Sequence, residues 1–211
     1  MKKNHYLWIG MALLVIGALL AGGCKKKEKG PVLGEFEFLD ERDGQVYSWV
    51  LIAGQKWMTR NLNFATESGS WCYNGSEDNC LKYGRLYSWS AARSACPAGW
   101  HLSTDAEWER LDAALGMNAG HKLKGGAGWT DGGGGSGGGG FNAFPGGDRS
   151  EFGSFGNRGK EAYFWTATSA AANEAYGRFL TYNSGDIQRG TWNKKGGNSV
   201  RCIKDKETTA N

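Results

Sequence analysis

The sequence predicts an α+β fold in which two short helices pack on a twisted, mostly antiparallel sheet, with long irregular glycine-rich loops. Residues 86–115 contain two amphipathic helical segments separated by a proline, and β-type segments lie on both sides of them. Isolated helices shorter than about 12–15 residues are marginal in water. The apolar faces of these helices therefore need a sheet, and the flanking segments are the candidates.

The N-terminal segment predicts export and membrane anchoring. Residues 1–24 place two lysines ahead of an apolar run that ends in small residues, which is the pattern of a secretory leader. The ending LAGGC resembles the lipobox of bacterial lipoproteins, which would make Cys24 the lipidated first residue of the mature chain. The lipid would then attach the protein to a membrane. By the same resemblance, Lys25 implies sorting to the outer membrane. The alternative is an uncleaved membrane helix, because about 18 apolar residues barely span a bilayer.

The charge distribution argues against nucleic-acid binding. The chain has 25 Lys and Arg against 21 Asp and Glu, a formal net charge of +4. Six of those basic residues and one acidic residue fall within residues 1–29, so the part after Lys29 carries a net charge of −1. Residues 25–33 therefore form a basic tether. The domain that follows lacks the positive surface that phosphate backbones need.

The predicted domain starts at residue 34 with a three-stranded meander. Two phenylalanines alternate with glutamates over residues 35–38. Asp-Gly and Ala-Gly turns then separate the strand-like segments 45–52 and 55–59. A turn-rich loop bracketed by two cysteines leads from the meander into the helical pair.

The helical pair has recognisable ends. The first helix presents one apolar face, formed by Trp89, Ala92 and Cys96. Pro97 stops it there because proline has no amide hydrogen to donate. In the second helix Thr104 and Glu107 match a capping box, and Gly116 suits the C-terminal end. The apolar face of this helix is formed by Trp108, Leu111 and Leu115.

The rest of the domain alternates between glycine-rich and strand-like segments. Residues 132–140 contain glycine at nearly every position, which predicts a mobile surface loop. Strand-like patterns separated by turn signals return in the C-terminal third, at residues 161–169, 176–182, 186–190 and 198–203. The domain is expected to end at residue 204, with residues 205–211 as a frayed tail.

The remaining cysteines predict two disulfides. Without Cys24 the chain keeps an even set of four, which in an exported protein is typical of disulfide bonding. Four cysteines allow three pairings. We favour Cys72 with Cys80, which closes a short turn-rich loop, and Cys96 with Cys202, which ties the first helix to the last strand. Reduced structural thiols are the alternative.

The sequence offers little catalytic or metal chemistry. After the leader it has two histidines, His101 and His121, and it lacks the GxSxG, HExxH and phosphate-loop motifs. No metal, no cofactor and no enzymatic activity are therefore expected, and His101 is assigned a structural role. A pair of carboxylates that meets only in the folded chain stays open as an enzymatic alternative.

Aromatic residues are the stronger signal, with ten Trp, eight Tyr and nine Phe. Six tryptophans lie in regular patterns and are assigned to the core: Trp49, Trp57, Trp89, Trp100, Trp108 and Trp165. Trp71, Trp129 and Trp192 lie among small and polar residues, where a ring is harder to cover. Exposed indoles suit the apolar faces of sugar rings, and Asn193 could bind a hydroxyl group, so these four are the candidate ligand-binding residues. The alternative is that the three indoles cap the core from loops.

Six motifs in order resemble the Fibrobacter succinogenes major paralogous domain over residues 43–204: DGQVY, KWMTRNLN, YGRLYSW, CPAGWHLSTDAEW, FPGG and GNSVRCI. That family is similar to the C-type-lectin-like superfold. The resemblance implies a single C-type-lectin-like domain over residues 34–204, with two helices, a mixed sheet and a bridge between the first helix and the final strand. It implies little about activity, because fold does not determine function.

Two groups of proteins share short motifs with this chain, but in each case the chain lacks residues that the group needs for its function. HLSTDAEWER resembles formylglycine-generating enzymes, but those need a reactive cysteine pair late in the domain, and here only Cys202 lies late. Trp192-Asn193 resembles the Trp-Asn-Asp calcium motif of sugar-binding lectins, but Lys194 stands in place of the aspartate. Calcium prefers oxygen ligands, and the positively charged ammonium group of a lysine repels the ion. Calcium-dependent sugar binding is therefore not expected at this motif.

We therefore expect a lipid-anchored, non-catalytic binding or adhesion module of the cell envelope. Polysaccharide is the leading ligand class, because loop aromatics suit sugar rings. Contact with other envelope proteins is the second hypothesis, and an enzyme built on a carboxylate pair is the third.

Overall fold

The computed structural model describes residues 32–206, and residues 33–206 form one compact unit. The predicted leader with Cys24, most of the basic tether and the last five residues of the tail lie outside that range. Among the described residues no helix has the length and apolar composition needed to cross a membrane. Short helices combined with mostly antiparallel sheets confirm the predicted α+β class.

The first sheet has five antiparallel strands. β1 (Glu37–Asp40), β2 (Gln45–Ile52) and β3 (Gln55–Met58) form the predicted meander. β3 also pairs with β13 (Cys202–Lys204), which in turn pairs with β6 (Trp100–Leu102). The order is therefore β1, β2, β3, β13, β6. The last described strand thus lies inside the sheet that the first three strands begin.

The second sheet has six strands. Three longer strands form one side of it: β9 (Glu161–Ser169), β10 (Glu174–Thr181) and β11 (Gln188–Asn193). Three short strands form the other side: β4 (Ser70–Trp71), β5 (Leu86–Tyr87) and β12 (Asn198–Ser199). The order is β11, β10, β9, β12, β5, β4, and β12 runs parallel to β9. A separate antiparallel hairpin joins β7 (Asp148–Arg149) to β8 (Phe155–Gly156).

Four α-helices accompany the sheets in the described range, of which the sequence predicted two. The predicted pair is α2 (Trp89–Ala95) and α3 (Asp105–Leu115), and the predicted capping box is present at the start of α3. The sequence reasoning missed α1 (Glu77–Tyr83) and α4 (Ala119–Leu123). Helices of seven and five residues are too short to show a helical period, and contacts with the rest of the domain hold them.

The core consists of two clusters rich in aromatic side chains. In the first, neighbouring ring centroids lie 5.2 to 5.9 Å apart among Trp57, Trp108, Phe141 and Phe164. The second cluster includes Tyr47, Tyr87, Trp100, Trp165 and Cys202. Four of the six tryptophans assigned to the core are buried, while Trp49 and Trp89 are half-buried against the second cluster.

Both predicted disulfides are present with the favoured pairing. Cys72 and Cys80 close the loop that contains the start of α1, with their Cα atoms 5.0 Å apart. Cys96, directly after α2, joins Cys202 in β13 across a sequence separation of 106 residues. The second bridge therefore ties the helical pair to the first sheet.

Arg201 is a fully buried cation held by neutral acceptors. Its guanidinium donates to the carbonyl of Met58 at 2.9 Å, to the carbonyl of Phe141, and to Asn61 Oδ1 at 2.9 Å. The guanidinium carbon also lies 4.0 Å from the Phe141 ring centroid. Burial lowers the pKa of Arg201 to about 9. Met58 and Asn61 belong to one short segment, whereas Phe141 and Arg201 itself lie far from it in the sequence. The cation therefore joins three segments that are distant in sequence.

The glycine-rich segment is hydrogen-bonded to its neighbours. Residues 132–140 are hydrogen-bonded to the segment around α4, for example from Gly137 N to Lys124 O at 3.0 Å. A Cβ at Gly133 would lie 2.2 Å from the Tyr182 carbonyl oxygen, and one at Gly135 would lie 2.0 Å from the carbonyl oxygen of His121. The segment thus lies at the surface, as predicted, and Gly133 and Gly135 are needed where it packs against other backbone.

Removal of the two disulfides should cost unequal amounts of stability. The Cys96→Ser, Cys202→Ser double variant should lose about 4–5 kcal/mol of unfolding free energy, and Cys72→Ser, Cys80→Ser about 2–3 kcal/mol, because the longer closed loop restricts the unfolded chain more. Urea denaturation of both variants measures the difference. An equal loss, or a larger loss for the short loop, would contradict this expectation.

Arg201→Met should destabilise the protein by more than about 3 kcal/mol, because it leaves three buried acceptors without a donor. Arg93→Met is the matched control, since Arg93 is exposed on α2 and its loss should change stability by less than about 0.5 kcal/mol. Denaturant unfolding of both variants measures the two effects. Similar losses of unfolding free energy in the two variants would show that the hydrogen bonds of Arg201 do not stabilise the fold.

Candidate functional site

A cleft of about 380 Å³ opens beside the edge strand β4. Its walls include two aromatic side chains, two arginines and one carboxylate: Trp71, Phe155, Arg85, Arg149 and Glu77. We call these five residues the aromatic-arginine cleft. β4 supplies the indole, α1 the carboxylate, and the β7–β8 hairpin the phenyl ring and one guanidinium.

Short local constraints place these side chains. Arg149 and Phe155 are directly opposite each other in the hairpin, so their side chains lie on the same face. Arg149 also exchanges backbone hydrogen bonds with Gly197, which fixes the hairpin next to the second sheet. The Cys72–Cys80 disulfide begins directly after β4 and ends within α1, and it thereby holds Glu77 beside Trp71.

The guanidinium of Arg149 covers the indole of Trp71. Its central carbon lies 4.0 Å from the ring centroid, a cation–π distance, and 6.0 Å from the centroid of Phe155. Two glycines leave room for this stack. A Cβ at Gly153 would lie 3.0 Å from Arg149 Nη2, and one at Gly197 would lie 3.3 Å from Trp71 Cε3. The backbone is thus built to accept the stacked pair.

The polar groups of the cleft are only loosely paired. Arg85 Nη2 lies 3.4 Å from Glu77 Oε1, and the Glu77 side chain is 74% exposed. Arg85 Nε is buried and has no hydrogen-bond partner among the described residues. Arg149 Nη1 donates to the carbonyl of Ser150 at 3.4 Å. Both guanidinium groups therefore keep donors that a ligand could use.

The three tryptophans predicted to bind ligand do not share one surface. Trp71 is half-buried in the cleft, on one edge strand of the second sheet, and Trp192 lies on β11 at the opposite edge. Trp129 is only 8% exposed, belongs to the first core cluster, and donates from its indole to the carbonyl of Ala143 at 3.3 Å. The sequence could not reveal this separation, because it arises from strand order in the fold.

Trp192 and Asn193 are also separated from each other. The Trp192 ring lies across two glycines, with Cβ positions at Gly177 and Gly190 only 2.9 and 2.7 Å from ring atoms. Successive side chains of a strand point to opposite faces of the sheet, so Asn193 lies on the face opposite the Trp192 ring. Its Oδ1 accepts from the backbone of Lys195 at 3.0 Å.

Sequence reasoning missed four members of the cleft: Arg85, Arg149, Phe155 and Glu77. Arg85 lies in the YGRLYSW motif, which points to a family and not to a site, and the other three lie outside the six motifs. No spacing along the chain links the four residues. The one available signal was Trp71 beside Cys72, which marked an aromatic residue held at the edge of a disulfide loop. The partners become visible only once the hairpin lies against β4.

Two places in the sequence bear on metal binding: position 194 of the lectin-like motif and the pair of Cys72 and Cys80. Lys194, which replaces the aspartate of the lectin calcium motif, donates to Ser169 Oγ at 2.8 Å and to two backbone carbonyls. Among the described residues, the one group of three potential metal ligands is Cys72, Glu77 and Cys80, and both sulfur atoms are in the disulfide.

His101 joins two acidic residues outside the cleft. Its Nδ1 lies 2.6 Å from Asp205 Oδ1, and its Nε2 lies 3.1 Å from Glu107 Oε1. The hydrogen bond to Glu107 raises the pKa of His101 above its ordinary value despite partial burial, and Asp205 adds to the effect. Burial raises the pKa of Glu107, but hydrogen bonds from His101 and Thr104 outweigh it and lower that pKa to about 2. His101 thus holds the end of the domain against α3.

The comparison with protein families identifies one match. A family model described as the Fibrobacter succinogenes major domain matches residues 50–204, which is most of the chain. Comparisons with curated proteins and with solved structures gave no match. The match covers both disulfides and all five residues of the aromatic-arginine cleft.

Stability should fall at alkaline pH because of His101. A histidine whose pKa is raised by folding contributes its full stabilisation below the ordinary pKa of 6.5, and the contribution is lost as pH rises through the folded pKa. Urea denaturation at pH 6 and pH 9 should show a loss of about 0.5 kcal/mol, a value typical of half-exposed ion pairs. His101→Gln should lack this loss, whereas the exposed His121→Gln should retain it. The same pH dependence in both variants would contradict the assignment.

Proposed function

Since the chain belongs to the Fibrobacter succinogenes major domain family, we propose that it is a non-catalytic binding or adhesion module with polysaccharide as its leading ligand class. The family description carries no activity, so the proposal rests on the geometry of the cleft. The fold we propose for it is C-type-lectin-like, on the basis of α2 and α3, the mixed second sheet and the bridge from Cys96 to Cys202.

The observation that carries the proposal is the aromatic-arginine cleft itself. Binding sites for small molecules are typically concave, with apolar and aromatic walls and a few polar groups that orient the ligand. Trp71 and Phe155 supply apolar walls, and Arg85, Arg149 and Glu77 supply polar groups. A sugar ring has the same mixture of apolar faces and polar edges, which makes a polysaccharide chain the best-fitting ligand class.

We also propose that the domain is displayed from the cell envelope. The support is the leader-like segment 1–24 with Cys24 at its end, which would attach the protein to the outer membrane through lipid. The basic tether would then separate the domain from the membrane. Adhesion to an insoluble polysaccharide needs this kind of anchored display.

The arrangement of carboxylates supports binding without catalysis. Glycoside hydrolysis uses two carboxylates that face each other, about 5–9 Å apart. Glu77 is the carboxylate that lines the cleft in the described structure. Three other acidic residues are held by internal hydrogen bonds: Glu107 and Asp205 bind His101, and Asp148 accepts from Asn157 at 2.9 Å.

A protein partner is the second candidate, and one observation favours it. Phe152 is 89% exposed at the turn of the β7–β8 hairpin, next to Gly153 of the cleft wall. A bare phenyl ring at a hairpin tip suits contact with an apolar protein surface. Crosslinking in intact cells with a photoreactive residue at position 152 would identify such a partner.

Trp71→Ala should weaken retention on polysaccharides by about tenfold or more, because it removes a large apolar wall of the cleft. The assay is binding of the purified chain to a panel of neutral and acidic polysaccharides, with folding checked by the urea midpoint. Phe36→Ala is the matched control, since Phe36 is 54% exposed and packs on Trp49 outside the cleft. Equal retention of the natural chain and of well-folded Trp71→Ala would reject this site.

A further inference from the structure

The cleft contains more hydrogen-bond donors than the protein itself uses. Each guanidinium carries five N–H donors and no acceptor. Arg85 reaches Glu77 only at 3.4 and 3.5 Å, and Arg149 makes a single bond, of 3.4 Å, to Ser150. Charge-assisted hydrogen bonds are usually about 2.7–2.9 Å long. Two cations in one cleft are therefore left largely unmatched.

Three other arginines of the described structure are closely paired with acidic partners. Arg42 binds Asp40 at 2.7 Å, and Arg178 and Arg189 bind Asp105 at 2.6 and 2.8 Å. In these three cases a carboxylate holds the guanidinium at short distance. Arg85 and Arg149 border the cleft without such a close partner.

The stack on Trp71 leaves the edge of Arg149 free to meet a ligand. A guanidinium is planar, and its N–H groups form a fork that matches a carboxylate with two parallel hydrogen bonds. Gly153 and Gly197 leave the space in which the stack sits. Because the group is already ordered, a ligand loses less affinity to side-chain immobilisation.

We propose that the ligand of the aromatic-arginine cleft is an acidic polysaccharide, with the carboxylate of a uronic acid bound between Arg85 and Arg149. This inference rests on the proposed function. A neutral sugar presents hydroxyl groups that both donate and accept, and it would leave the donor excess unmatched. A carboxylate only accepts, and it can replace the loose contact with Glu77, whose exposed side chain is free to turn toward solvent. The parts of the Trp71 and Phe155 side chains that line the cleft then contact the apolar parts of the sugar chain.

The test is calorimetric binding of three probes to the full mature chain: an oligogalacturonate, a cello-oligosaccharide of the same length, and dextran sulfate. The natural chain should prefer the oligogalacturonate by about tenfold or more over both others, and Arg149→Gln and Arg85→Gln should each remove most of that preference. Arg149→Lys keeps the charge but loses the fork, so it should fall between the natural chain and Arg149→Gln. Urea midpoints check that each variant is folded.

Arg110→Gln is the matched control, because it removes one positive charge from the exposed face of α3 and should leave binding unchanged. Equal, Trp71-dependent binding of the neutral and acidic oligosaccharides would overturn the acidic-ligand inference and leave the proposed function standing. The inference would also be overturned if dextran sulfate bound as tightly as the oligogalacturonate and if Arg110→Gln weakened the binding of both probes equally. That result would indicate nonspecific attraction between charges. Binding of none of the probes or of the wider panel would overturn both proposals.

Discussion

The fold depends on the burial of the Arg201 cation without a carboxylate partner. Leaving such a charge unpaired in the core is costly, so its hydrogen bonds must all be supplied at once. Met58 and Asn61 supply them from one segment and Phe141 from another, and both segments are far from Arg201 in the sequence. Asn61 in turn donates to Tyr83 O at 2.8 Å and to a serine hydroxyl in β12. The cation therefore makes the correct arrangement of these segments a condition for folding.

The residues next to Arg201 extend this constraint to the whole domain. Gly197 pairs with the β7–β8 hairpin. The next two residues form β12, which pairs with β5 and β9. Cys202 and Ile203 belong to β13, which pairs with β6 and β3. Cys202 adds the covalent link to the end of α2. One short segment thus joins both sheets, the helical pair and the hairpin. The aromatic-arginine cleft lies at its N-terminal end, where Gly197 holds Arg149 against Trp71.

Arginine has two different roles in this protein, and the environment decides between them. Arg178 is buried and bound closely to Asp105, which fixes α3 to β10. Arg85 and Arg149 border an open cleft, where their donors are only loosely engaged. A structural cation loses its hydration and must be matched inside the protein, whereas a cation at a cleft can keep water until a ligand replaces it. The contrast is visible in distances and burial but not in residue type.

Local patterns along the chain determined the meander, the ends of α2 and α3, and strand β9, since these depend on neighbouring residues. Counting the cysteines predicted two disulfides, and the pairing favoured among the three possible ones is the one present. The tertiary structure alone decided that Trp71 and Trp192 lie at opposite edges of a sheet, that the glycine segment packs closely, and that Arg149 covers an indole. Each of these depends on strand order and on contacts between distant segments, which a one-dimensional pattern does not encode.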